Sequence, residues 1–124
     1  MKTYQIITRP KTILVVKIDG KRSEINFRQH KSITSIDGYS DIDYNAQIAF
    51  TVMLDILWSY ANAKKCYKDF KKNFVDMLGP ESGMINEEDI SFWLRKRYPE
   101  LFKNGKAEQD PPTQRNQLLK NTYI

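Results

Sequence analysis

The sequence predicts an α+β fold: an N-terminal three-stranded antiparallel sheet packed against a three-helix C-terminal part, followed by a polar tail. Three observations lead there. An Asp19-Gly20 pair separates two runs rich in β-branched residues, an apolar segment runs almost unbroken from Ala46 to Ala61, and the segment after it is amphipathic. At 124 residues the chain suits one hydrophobic core. Residues 1–102 are therefore expected to form a single domain and residues 103–124 a polar tail.

The strands come first. Tyr4–Thr8 and Thr12–Ile18 are rich in β-branched and aromatic types, with Pro10 between them. Asp-Gly tolerates the positive backbone dihedrals of a tight hairpin turn, so Ile13–Ile18 and Lys21–Phe27 read as its two arms. In the second arm Ile25 and Phe27 alternate with polar neighbours, which places one face in solvent. From Arg28 to Asp43 the chain is polar and turn-rich.

The period then changes. Ala46, Ile48, Phe50, Val52, Met53, Leu54, Leu57 and Trp58 make this segment apolar on nearly every face, so this helix is expected to be central, with Leu54 and Trp58 fully or largely buried. Asp41 or Asp43 supplies its cap. In the second helix Ala63, Cys66, Tyr67, Phe70, Phe74, Met77 and Leu78 follow steps of three and four, and Gly79-Pro80 ends it. Asn86 begins a third, followed by Glu87-Glu88-Asp89 at the positive end of the helix dipole and closed by Pro99.

Composition excludes several classes. Hydrophobic residues make up 40% of the chain and aromatics 12%, enough apolar surface to favour a folded domain over a disordered one. The run Ile48–Trp58 is interrupted by Thr51 and Asp55 and falls short of the roughly 20 residues that span a bilayer. No signal-like core follows Met1, so export is not expected and the cytoplasm is the default location. Cys66 is the only cysteine, which leaves neither an internal disulfide nor a cysteine metal cluster.

The net charge of +5 is unevenly spread. Residues 1–36 carry eight cations against two acids, whereas residues 37–62 carry four aspartates and no lysine or arginine. Residues 63–78 return to a net +3. Such basic blocks favour a nucleic-acid or acidic-protein partner.

Catalytic constellations are sparse. His30, the only histidine, has no neighbouring nucleophile in the sequence and reads as a surface residue beside Lys31. Asp37, Asp41 and Asp43 offer oxygens to a hard cation, but the glycine and late glutamate of a calcium loop are missing, and capping and turns explain them more simply. Glycine-rich phosphate loops, nucleophile elbows and paired-histidine zinc motifs do not occur. The reading is a non-enzyme with no cofactor and no metal.

On the second helix Lys64, Lys65, Lys68, Lys71 and Lys72 project away from the apolar positions. A stripe of this kind tracks phosphates, and it also serves simply as a solvated face. Arg95-Lys96-Arg97 closes the third helix, where cations complement the dipole. Cys66, on the apolar side, reads as an inert core residue.

The order His30-Lys31-Ser32, Gly38-Tyr39, Asn45-Ala46-Gln47-Ile48-Ala49 and Leu54-Asp55, followed by Tyr67-Lys68-Asp69-Phe70-Lys71 and Asp89-Ile90-Ser91-Phe92-Trp93, resembles a family of small uncharacterised domains found in bacterial, plasmid and phage genomes. The likeness covers about residues 4 to 94. The family's Gly-Ser-Gly-Pro before the helix is replaced here by Ser40-Asp41-Ile42-Asp43-Tyr44-Asn45. The resemblance implies an architecture and a mobile-element origin, and no activity.

Two functions follow as expectations. The first is a small interaction protein, an accessory or anti-defence factor of a phage or other mobile element, that binds and blocks a host protein. Its surface is expected in the long Arg28–Asp43 segment, through His30, Lys31, Asp37, Asp41 and Asp43. The alternative is a nucleic-acid-binding module that uses the lysine face of the second helix.

Overall fold

The computed structural model describes residues 1–31, 38, 43–78 and 83–102. Strands β1 (Lys2–Ile7), β2 (Ile13–Ile18) and β3 (Lys21–Ile25) form the expected antiparallel meander. At the β2–β3 turn Asp19 and Gly20 have φ of 50° and 84°, the pair of positive dihedrals that a two-residue turn of this hand requires. The β1–β2 connection contains a cis Arg9–Pro10 peptide.

The sheet has four strands rather than three. Strand β4 (Gly83–Asn86) pairs antiparallel with β1, placing Tyr4 opposite Ile85 and giving the order β3-β2-β1-β4. At the start of β4, Gly83 leaves room for the Leu78 side chain, whose Cδ2 would lie 2.6 Å from a Cβ there.

A 3-10 turn at Phe27–His30 follows β3, so Phe27 leaves the strand and packs inward. Helix α1 (Tyr44–Leu57) is the central element: eleven of its fourteen residues are buried. Asp43 caps it, its carboxylate accepting from the Ala46 amide at 3.0 Å.

The helix ends earlier than its apolar run suggests. Trp58 adopts a left-handed conformation, φ 55°, and donates its amide to the Leu54 carbonyl at 2.9 Å. It is half-buried, not part of the core as expected. Ser59 then caps helix α2 (Tyr60–Phe70), accepting from the Asn62 amide. A π-helical turn, Lys71–Val75, extends α2, and helix α3 (Glu87–Arg97) leaves β4 directly before a 3-10 turn at Pro99–Leu101. Asn86 precedes α3 as expected, but its side chain makes no capping bond.

The core lies between one sheet face and the helices. Tyr4, Ile6, Leu14, Val16 and Ile25 line up across the strands and meet Ile48, Phe50, Val52 and Met53 of α1, Tyr67 and Phe70 of α2, and Ile90 and Leu94 of α3. One buried polar network crosses this interface. The Tyr4 hydroxyl donates to Asp55 Oδ2 at 2.5 Å, and Lys2 Nζ reaches the same oxygen at 2.9 Å and Glu87 at 3.4 Å. The acid that interrupts the apolar run thus ties β1 to α1 and α3. Among the described residues no helix is long and apolar enough to cross a membrane. The proposed tail, residues 103–124, lies outside the described residues.

Candidate functional site

The Phe27–His30 turn lies along α1 and organises a surface that sequence reasoning located only in part. Arg28 is pinned there. Its guanidinium donates to the Thr12 carbonyl at 2.8 Å, with its carbon 4.4 Å from the Phe27 ring centre and 4.8 Å from that of Tyr44. Phe27 and Tyr44 meet edge to face at 5.6 Å. One turn of chain later, His30 packs 5.1 Å from Phe50 and 6.3 Å from Tyr60, with Gln29 Nε2 3.3 Å from its Nε2. Tyr44 and Tyr60, the first residues of α1 and α2, therefore flank the turn, each 38% exposed.

His30 is not a surface residue. It is 3% exposed, and burial lowers its pKa to about 4, so the ring is neutral at pH 7. Its polar sequence neighbours suggested solvent, but Phe50 on another element decides its environment. Its ring packs beneath the surface, against Phe50 and Tyr60. Lys31 is exposed at the rim, as expected. Asp43 is occupied by capping Ala46. Asp37 and Asp41 lie outside the described residues.

Tyr44 and Tyr60 are the residues that sequence reading missed. Within an apolar helix pattern a tyrosine at the first position resembles any core aromatic, and only the helix break at Trp58-Ser59 brings Tyr60 out to the rim.

The lysine stripe of α2 is partly engaged. Lys65 pairs with Glu100 at 3.0 Å, and Lys71 pairs with Asp76 at 2.9 Å. Asp76 also accepts from Asn45 Nδ2 at 3.0 Å, so the π-turn fastens the end of α2 to the start of α1. Lys64, Lys68 and Lys72 are exposed at steps of four. Beyond them Asp69 accepts the Tyr98 hydroxyl proton and meets Arg97 at 3.4 Å, joining α2 to the end of α3. Burial and this bond raise the Tyr98 hydroxyl pKa above its ordinary range. Cys66 is fully buried and its thiol is pushed up to about 12, so it packs as a small apolar residue. Among the described residues no three His, Cys, Asp or Glu side chains gather to hold a metal ion.

These features define a small α+β domain with a tyrosine-flanked turn at one side of its central helix and a basic helical face at another. The chain belongs to the Family of unknown function (DUF6166), whose model matches residues 9–96, from the β1–β2 connection to the last turn of α3. That agrees with the family of uncharacterised domains that the segments from His30 to Trp93 resemble. No curated protein and no solved structure matches the chain.

Proposed function

We propose that the protein is a small non-enzymatic interaction protein that binds a host protein in the cytoplasm and blocks it by occupying its surface. The single observation that carries this reading is the pair Tyr44 and Tyr60, half-exposed on a rigid bed of Phe27, His30 and Phe50. Tyrosine and arginine anchors dominate the energetics of protein interfaces because they bury large area at low entropic cost. Here Arg28 is held in place before any partner arrives, and Lys31 supplies charge at the rim for steering. A neutral, buried His30 favours recognition over acid–base chemistry at this surface. The role as a phage or mobile-element accessory rests on the family resemblance alone.

The test is comparative capture from nuclease-treated lysate of the host cell. Tyr44→Ala and Lys31→Ser should lose a protein that the parent retains; the Lys31→Ser melt should stay within about 0.5 kcal/mol of the parent because Lys31 is exposed, while Tyr44→Ala also gives up packing on Phe27 and Arg28 and should melt lower but still cooperatively. Retention of the same protein by both variants removes the assignment.

A further inference from the structure

We infer that the open edge of β3 pairs antiparallel with the β3 edge of a second copy, joining two four-stranded sheets into one of eight strands. Ser23 lies at the two-fold axis, and Arg22 of each copy faces Glu24 of the other. The inference does not depend on the tyrosine-flanked turn.

Among the described residues β3 pairs with β2 on one side and with no strand on the other. Lys21, Arg22 and Ser23 are exposed and Glu24 is half-buried, so this stretch of the edge is open to solvent. Such an edge presents unpaired backbone N–H and C=O groups, a template for another strand.

The hairpin fixes which of these groups face outward. Across its two-residue turn Ile18 and Lys21 bond to each other, and bonded and non-bonded pairs alternate from there along the ladder. Lys21, Ser23 and Ile25 therefore direct their backbone groups to β2, while those of Arg22 and Glu24 point out from the sheet. The same two residues share one face. They stand opposite Lys17 and Val15, on the side away from the core residues Leu14, Val16 and Ile25.

Within its own chain Arg22 meets a like charge. Its cross-strand neighbour is Lys17, an arrangement that costs stability. Among the described residues neither Arg22 nor Glu24 forms an ion pair. A second copy supplies the missing partners.

The register follows from the alternation. A two-fold pairing that brings outward-pointing residues together is centred on Arg22, Ser23 or Glu24. The first sets Arg22 against itself, and the last sets Glu24 against itself. Centring on Ser23 sets Arg22 opposite Glu24 twice, and each pair also exchanges two backbone bonds. Charge thus selects one register and disfavours a basic strand at the same edge. A single strand pair buries less than the roughly 800 Å² per partner of a standard interface, so the dimer is weak and forms at high protein concentration.

The experiment is sedimentation equilibrium of the full chain at concentrations up to about 1 mM, where weak association is still populated. The parent is expected to dimerise reversibly. Arg22→Glu and Glu24→Arg each put like charges at both pairs and should weaken the dimer roughly 10- to 100-fold. An equimolar mixture of the two variants should recover parent-level association, because the acids of one then face the cations of the other. The double change Arg22→Glu with Glu24→Arg, which keeps one acid and one cation on each edge, should also dimerise like the parent. Recovery in either case separates a lost contact from a lost fold. Three results overturn the inference: a parent that stays monomeric throughout, a dimer that neither single change weakens, or no recovery in both the mixture and the double variant. A monomeric parent would leave this edge to a strand of another protein.

Discussion

The Tyr4 hydroxyl and the Asp55 carboxylate meet across the sheet–helix interface, 51 residues apart in sequence, with Lys2 Nζ closing on the same carboxylate oxygen. A buried carboxylate is tolerated only when its lone pairs are satisfied, so this contact makes the polar break in the apolar run compatible with a central helix. Removing one donor leaves the acid under-satisfied. Tyr4→Phe should therefore lower stability by about 1–3 kcal/mol, read as a shift in urea midpoint at constant slope. The pair Tyr4→Phe with Asp55→Leu should lose less than the sum of the two single changes, because no buried charge remains to be satisfied.

Acid stability should depend on His30. Its pKa falls from 6.5 to about 4 on folding, so between these values the unfolded chain binds the extra proton and the native state does not. Stability from this group is complete above pH 6.5 and is lost as pH falls toward 4, by about 3 kcal/mol in total. Urea midpoints of the parent and of His30→Phe, compared from pH 7 to pH 4, should show the parent losing stability relative to the variant on acidification. Parallel curves would mean that the ring is solvated.

Helix caps offer a contrast within one fold. Ser59 accepts from the Asn62 amide and splits a continuous apolar run into two helices, so Ser59→Ala should lower stability by about 1 kcal/mol. Asn86 occupies the equivalent position before α3 without a side-chain cap bond, and Asn86→Ala should change stability by less than about 0.5 kcal/mol. Thermal melts of the two variants side by side measure the difference.

Gly83 is where β4 touches the chain that leads into it. A methyl group there would come within 2.9 Å of three atoms of the Leu78 side chain, so Gly83→Ala should cost about 1–3 kcal/mol. Adding Leu78→Ala should recover part of that loss, which a double-mutant cycle reports directly.

Much of this architecture is legible in the chain. The Asp19-Gly20 hairpin was readable because few other dipeptides accept two positive φ values. Helix α1 was readable because its apolar residues fall on nearly every face, and eleven of its fourteen residues are buried. Strand β4 was not, since four residues with Ile85 alone buried show no period, and its partner β1 lies some 80 positions earlier. The α1–α2 break was hidden because a tryptophan, not a glycine, takes the left-handed position. The same limit governs the site. Lys31 was readable from local polarity, whereas the burial of His30 and the half-exposure of Tyr44 and Tyr60 are set by contacts between elements that periodicity does not report.

The central claim is that the turn at Phe27–His30, with Tyr44 and Tyr60, contacts a protein partner. Photo-crosslinking tests it most directly: a benzophenone amino acid replaces Tyr44 or Tyr60 in turn, and Phe92 in a control, with irradiation in nuclease-treated lysate of the host cell. The account predicts that positions 44 and 60 capture the same protein and that position 92 does not. No protein adduct from either tyrosine position, or the same protein captured only from position 92, would contradict it.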